Sequence, residues 1–300
     1  MPLAFIGSIF SYHFSPDTKS YIIAFQTLQL SEIIDSFFSF YIISLKTLFF
    51  NFNGFLVLTI YLLLVIKNFA FKKLLGISVN IFYLTSFFIL HDLIQIRFAL
   101  AISLYLLGVY LIHKKGKKTS GIALILISFL THFSTLGLLI PHILMLLNLT
   151  QITTYLLGLL PLAIISFSNK LFVYLEPYLN SKLISYLYQL GYSGLDWKIS
   201  KQHVYVIVFT LFFLFVYRGT KKKFVILMTI IGFSFSLPTA NYPVISSRLF
   251  EIYLIILPLI QTLTFRELLK ISKAFALPYA FIASMSNLYM FGINTMILLD

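Results

Sequence analysis

Residues 96–134 read IRFALAISLYLLGVYLIHKKGKKTSGIALILISFLTHFS, and this stretch decides the fold class. Two apolar runs flank the basic cluster Lys114–Lys118, and an ionisable residue stands at the far end of each run, Arg97 in one and His132 in the other. Long apolar runs are typical of membrane-spanning helices, and basic clusters between them stay on the cytoplasmic side of a bilayer. The stretch therefore predicts a helical hairpin with Arg97 and His132 near the outer face.

The composition of the whole chain agrees with a membrane protein. Of its 300 residues, 60% are hydrophobic and only 10% are charged, and the mean hydropathy is +0.97. A soluble domain could not bury so much apolar surface, and a disordered chain would carry more charge, so both classes are excluded. The absence of cysteine excludes disulfides and thiolate metal sites. We predict an all-α protein, a polytopic integral membrane helical bundle.

Apolar runs along the chain predict about ten transmembrane helices. The candidate spans lie at about 53–71, 74–90, 95–112, 119–134, 136–148, 152–168, 202–217, 224–238, 247–265 and 275–297.

These spans organise the chain as one polytopic membrane domain, residues 1–300. Residues 1–52 form an outer-face segment, in which Ser31–Phe50 is expected to be a helix lying in the membrane interface. Transmembrane helices occupy 53–168 and 202–300, and an extracytoplasmic loop, 169–201, separates them.

The basic residues fit one orientation of these spans. The formal net charge of +13 would suggest nucleic-acid binding in a soluble chain. Here the basic residues cluster after alternate spans, at Lys72-Lys73, Lys114–Lys118, Arg218 with Lys221–Lys223, and Arg266 with Lys270 and Lys273. We assign these clusters to the cytoplasmic side, group Lys67 with them, and place Asp92 among the outer acidic residues. The charge is then a topological signal, and no nucleic-acid partner is predicted.

Arg97 is the first candidate for a functional residue. Charged groups inside membrane helices are costly and often functional. Arg97 lies about one turn inside its predicted span, with Gln95 beside it. We expect both to face the interior of the bundle, although Arg97 could instead snorkel to the interface or pair with Asp92.

His132 and Arg248 lie near the same predicted depth. His132 could accept a proton from a substrate, or it could bond to Thr131 or Ser134 within a packed bundle. Arg248 opens a late span, where it could bind substrate or pair with Glu251 three residues further on.

Motifs of metal-dependent and cytoplasmic nucleotide chemistry are missing from the sequence. It contains no Asp-x-Asp pair, Gly-rich phosphate loop, His-x-x-x-His or Gly-x-Ser-x-Gly motif. We therefore predict no metal and no cofactor.

Four motifs in order along the chain resemble the pattern of the EpsG-like family. They are Asp17–Tyr21, which has the form Asp-x-x-x-Tyr, then Ile96–Ala101, Thr131–Ser134 and Ser247-Arg248. The EpsG-like family comprises integral membrane proteins of bacterial exopolysaccharide and capsule clusters, related to Wzy-type polysaccharide polymerases. The resemblance extends over most of the chain, from about residue 17 to 265.

The resemblance implies a multi-pass polymerase at the outer face of the bacterial plasma (inner) membrane. It would join oligosaccharide repeat units carried on undecaprenyl pyrophosphate, without a metal or cofactor. Its partners would be this lipid-linked substrate, the membrane lipid and other polysaccharide-synthesis proteins, such as a flippase or a chain-length regulator. The implied site residues are Arg97, Arg248, Tyr21 and Gln95 for binding pyrophosphate and substrate, with His132 first and Asp17 second as the catalytic base.

Two other classes of function fit the same residues. A flippase or transporter for lipid-linked oligosaccharide would also hold Arg and His among its helices. A non-catalytic assembly subunit of the polysaccharide machinery would only bind other proteins. The polar candidates cluster toward one predicted face, and no internal repeat is found, which favours one-sided chemistry over alternating access.

Overall fold

The computed structural model is helical throughout the part of the chain that it describes. No strand occurs among these residues, so the all-α prediction is confirmed for them. The described residues are 2–15, 18–27, 37–48, 51–76, 78–86, 88, 92–93, 95–147, 149–166, 201–239 and 243–293.

The described part of the chain consists of successive helices. In chain order they are α1 (Pro2–Phe14), α2 (Thr18–Thr27), α3 (Phe37–Lys46), α4 (Phe52–Leu75), α5 (Val79–Thr85), α6 (Ile96–Lys115), α7 (Lys118–Thr131), α8 (Leu139–Leu146), α9 (Gln151–Gly158), α10 (Lys201–Val216), α11 (Lys222–Ser236), α12 (Pro243–Leu254), α13 (Ile256–Ile271) and α14 (Lys273–Asn287). A 3-10 helix, Phe133–Leu138, follows α7, and a π-helix, Leu288–Ile293, follows α14.

Four helical segments of the described chain are long and apolar enough to cross a membrane. They are Phe52–Leu75, Ile96–Lys115, Leu249–Ile271 and Lys273–Phe291. Each coincides with a predicted span, because uninterrupted apolar sequence favours a continuous helix. The other helices are shorter, and the count of about ten spans stays a prediction.

The predicted span 74–90 has a different structure. Its helix, α5, has only seven residues, from Val79 to Thr85, and Leu93 N–H then donates to the Phe88 carbonyl at 3.2 Å, a bond across five residues. Such π-type geometry interrupts a regular helix. Apolar composition alone therefore overestimated the length of this helix.

The described residues form two compact units by their contacts. The first comprises Met1–Leu136 with Ala274–Asp300, and the second comprises Gly137–Lys273.

The core of the first unit lies between α4 and α6. Leu56, Ile60 and Leu63 of α4 are fully buried, as are the small residues Ala99 and Ala101 of α6. Small side chains let two helices approach closely, which is how membrane helices gain packing energy.

Helices α6 and α7 form the hairpin that the sequence predicts. Gly116 ends α6 with a left-handed backbone (φ 66°), a conformation that glycine adopts without strain. Gly108 and Gly121 face each other across the hairpin, and a Cβ atom on Gly108 would lie 2.7 Å from the carbonyl oxygen of Gly121. The close approach of the two backbones therefore depends on both glycines.

The second unit packs α11 against α12. Gly232 lies against Tyr253, and the Tyr253 hydroxyl donates to the Gly137 carbonyl at 2.9 Å. In the same unit His203 stacks on Phe250, with ring centroids 4.1 Å apart.

Candidate functional site

The first turn of α6 positions two of the predicted site residues. Gln95 precedes the helix with a non-helical backbone (φ −118°, ψ 60°), and its carbonyl accepts the first helical hydrogen bond from Ala99 N–H at 2.8 Å. The Gln95 side chain is buried. Arg97, the second residue of the helix, is half-buried. Gln95 and Arg97 therefore both lie at the N-terminal end of α6.

Three helices other than α6 contribute to the surroundings of Arg97. Its Nε donates to the carbonyl oxygen of Thr131, at the end of α7, over 2.9 Å. Its backbone N–H donates a long hydrogen bond of 3.5 Å to the Tyr21 hydroxyl on α2. The guanidinium carbon lies 5.9 Å from the ring centroid of Phe38 on α3, within the range of a cation–π contact. These contacts hold the guanidinium in a defined place.

A tyrosine of α3, Tyr41, connects this region to α4. The Tyr41 ring stacks on Phe38, and its hydroxyl donates to Thr59 Oγ1 at 3.0 Å. Burial raises the pKa of Tyr41 to about 12. Tyr41 therefore remains a neutral hydrogen-bond donor at physiological pH.

His132 caps α7 directly after Thr131. Its backbone is extended (φ −153°, ψ 112°), and its N–H donates to the Ser128 carbonyl at 3.0 Å. The Ser134 hydroxyl bonds to Nδ1 of the imidazole, as the alternative in the sequence analysis anticipated. The ring meets Phe98 of α6 edge-on at 5.3 Å.

The structure therefore brings Tyr21, Arg97, Thr131 and His132 together, and we call this group the Arg97–His132 cluster. The hairpin accounts for Arg97, Thr131 and His132, because α6 begins at the end where α7 finishes, and α2 adds Tyr21. A guanidinium can bind an anion with paired hydrogen bonds, and an imidazole can accept a proton. The cluster combines both capacities.

Three of the predicted site residues are not part of this cluster. Gln95 is buried just before α6. Asp17 lies outside the described residues. Arg248 lies in α12, in the second unit, and its side chain is not among those described. Their roles stay predictions. Within the described part of the chain, no group of three or more His, Cys, Asp or Glu residues could hold a metal ion.

Lys67, Tyr83 and Asp92 form a buried group that the sequence analysis missed. The carboxylate of Asp92 accepts hydrogen bonds from Lys67 Nζ and from the Tyr83 hydroxyl. Lys67 and Asp92 are both completely buried. Assigning Lys67 to the inner side and Asp92 to the outer side was therefore wrong, because two groups in contact lie at one depth.

The contacts of Asp92 also bear on the alternative that Arg97 pairs with Asp92. Asp92 bonds to Lys67 and Tyr83 instead. A sequence signal for Lys67 did exist, since it interrupts an apolar run well before the basic pair Lys72-Lys73. Nothing in the sequence indicated that its partner would be Asp92, 25 residues away.

His203 and Ser236 form a second buried pair that was missed. His203 Nε2 lies 2.8 Å from Ser236 Oγ, and both side chains are buried in the second unit. The pair is enclosed by Phe233 and Phe250. A buried histidine bonded to a serine among aromatic rings fits a packing role.

Comparisons with known proteins identify the family. A search of curated proteins and a search of solved structures each gave no match. The sequence model of the EpsG family matches residues 2–297, which is nearly the whole chain. On this match, the chain belongs to the EpsG family.

Proposed function

We propose that the chain is a polysaccharide polymerase acting at the outer face of the bacterial plasma membrane. Membership of the EpsG family and the four long apolar helices support a membrane protein of polysaccharide biosynthesis. The observation that carries the more specific proposal is the Arg97–His132 cluster, in which Arg97 Nε is held by the carbonyl next to His132.

In the proposed reaction, the growing chain on undecaprenyl pyrophosphate is the donor. A hydroxyl of the next lipid-linked repeat unit attacks the anomeric carbon of the donor and forms the new glycosidic bond. The bond from that carbon to the pyrophosphate oxygen breaks, and the lipid pyrophosphate leaves with the bonding electrons. The acceptor proton passes to a base on the protein. The energy of the reaction is already stored in the donor, so no nucleotide is consumed.

Arg97 is proposed to bind the leaving pyrophosphate. Negative charge builds on the leaving group, and a guanidinium stabilises it with charge-assisted hydrogen bonds. Since the protein already uses Nε, the terminal nitrogens Nη1 and Nη2 are assigned to the substrate. The N-terminus of α6 adds partial positive charge at the same place.

His132 is proposed as the general base. In this proposal the neutral imidazole carries its proton on Nδ1, which donates to the Ser134 hydroxyl oxygen, and Nε2 accepts the proton of the acceptor hydroxyl. The neighbouring Phe98 ring limits rotation of the imidazole. Tyr21 and Gln95 are proposed as contacts to the sugar or the phosphate.

Purified protein in liposomes with the lipid-linked repeat unit would test this function. A polymerase lengthens the oligosaccharide without partner proteins and releases the lipid pyrophosphate. A flippase moves the lipid-linked unit between leaflets without lengthening it, and an assembly subunit does neither. If the oligosaccharide stays at unit length in liposomes that are verified to contain folded protein, the proposal is ruled out.

A further inference from the structure

The described part of the first unit contains a buried group of charged and polar side chains that the proposed reaction does not use. Lys67 of α4, Tyr83 of α5 and Asp92 of the connection before α6 meet in its interior. Lys67 and Asp92 are 0% exposed and Tyr83 is 1% exposed. Lys67 Nζ also lies 5.9 Å from the centroid of the Tyr83 ring. We call these three residues the Lys67 clamp.

Stability alone does not explain the Lys67 clamp. Removing two charges from water is costly, and replacing a buried ion pair with apolar side chains of similar volume is often neutral or stabilising. A buried ion pair does, however, fix geometry, because its hydrogen bonds are directional and an unpaired charge in the interior is strongly disfavoured. The role of the clamp therefore depends on which part of the chain it fixes.

The clamp fixes Asp92, which lies in the connection that leads into α6. Asp92 stands four residues before Ile96, where the helix begins. The connection contains the π-type bond from Leu93 N–H to the Phe88 carbonyl, and Leu93 and Gln95 are both buried. Non-helical backbone among membrane helices persists only where the protein satisfies and holds it.

We propose that Lys67, Tyr83 and Asp92 are positioning residues for the proposed reaction. By tethering the connection to α4 and α5, they set where α6 begins and hence where Gln95 and Arg97 stand. The catalytic part of this inference rests on the proposed function, whereas the structural part does not. The two parts can therefore be tested separately.

Cysteine labelling tests the structural part. The chain has no cysteine, so Leu93→Cys introduces a single thiol into the connection without background. Leu93→Cys alone would be the parent protein. It would be compared with two further variants that also carry Leu93→Cys: Tyr83→Phe, which keeps the ion pair, and Lys67→Met/Asp92→Leu, which leaves no unpaired charge. Buried Leu93→Cys should react slowly with a membrane-permeant maleimide, and both clamp variants should react about tenfold faster because the connection opens locally.

A matched control separates local release from general loosening. Ser103→Cys places a thiol of nearly the same size at a fully buried position of α6. Its labelling should stay slow in both clamp variants. Equal labelling of Leu93→Cys in the parent and in Tyr83→Phe would overturn the proposal, and so would parallel increases at both cysteines. If the double variant fails to fold, Tyr83→Phe still decides.

Turnover in liposomes tests the catalytic part. The clamp variants should lower kcat at an unchanged amount of folded protein, while KM for the lipid-linked unit changes less, because Arg97 acts mainly on the leaving group. Faster labelling with unchanged kcat would show that the clamp holds the connection but does not position the site. If the parent makes no polymer, the proposed function fails, while the labelling result still stands.

Discussion

At the scale of single residues, Arg97 has the most defined environment among the predicted site residues. Its Nε is bound by Thr131, its backbone by Tyr21, and its charge lies near the ring of Phe38. These contacts leave the side chain little freedom to leave the start of α6. A fixed guanidinium is what stabilisation of a leaving pyrophosphate requires, because preorganised charge needs no rearrangement during the reaction.

We expect Arg97→Ala to lower polymer formation in liposomes by about 10²–10³-fold, the usual cost of removing one donor to a developing negative charge. Arg97→Lys should be nearly as impaired, because an ammonium group cannot form the paired hydrogen bonds of a guanidinium. The matched control is Arg218→Ala, which removes an arginine from a predicted cytoplasmic cluster and should leave the rate unchanged. Normal chain lengths from Arg97→Ala would remove Arg97 from the mechanism.

For His132→Ala, we expect a loss of turnover of about 10²–10⁴-fold, as for other general bases. Lipid-linked repeat units should accumulate in cells. Ser134→Ala should have a smaller effect, because it removes only the bond that orients Nδ1. Exposed His113 at the other end of α6 provides the control, and His113→Ala should behave as the parent. Unaltered turnover of His132→Ala would contradict a role of His132 as the base.

At the scale of elements, the α6–α7 hairpin is what holds the site together. It requires a turn at Gly116 and close contact between Gly108 and Gly121. Because Arg97 and Thr131 belong to different helices of the hairpin, any change that separates the two helices should also break the bond between them.

We predict that Gly121→Leu destabilises the hairpin. A Cβ at this position would lie 2.8 Å from the Gly108 carbonyl oxygen and 2.5 Å from the Ile112 side chain, and overpacking of this kind costs about 1–3 kcal/mol. Thermal unfolding in detergent should show a lower midpoint. Ile122→Leu, one residue further along and 52% exposed, is the matched control. An unchanged midpoint for Gly121→Leu would mean that the helices are not in close contact there.

The elements also show how far apolar pattern predicts structure. The apolar pattern anticipated α4, α6, α14 and the segment Leu249–Ile271, which includes α13. Each of these is a largely apolar run. The pattern did not anticipate the break within 74–90, where α4 ends at Leu75 and α5 extends from Val79 to Thr85. Hydropathy distinguishes apolar from polar residues, but it does not show that buried Asp92 pairs with Lys67 of α4 and accepts a hydrogen bond from Tyr83.

At the scale of the whole molecule, the predicted orientation can be measured. We expect Thr47→Cys to react with a membrane-impermeant maleimide added to intact spheroplasts. Lys117→Cys and Lys273→Cys should react only after permeabilisation, because they lie in basic clusters that the positive-inside rule assigns to the cytoplasm. All three positions are exposed in the structure, and the chain has no native cysteine. Labelling of Lys117→Cys in intact spheroplasts would reverse the orientation and move the proposed site to the other face.

The sequence by itself determined the class of the molecule, its helical content and the end of the hairpin where Arg97 and His132 lie. These properties depend on local composition and on residues joined by one short turn, so the order of residues specifies them. Only the tertiary structure decided that Lys67 pairs with Asp92. The ion pair joins two residues 25 positions apart in the chain, and such a contact is selected by the burial of both charges together.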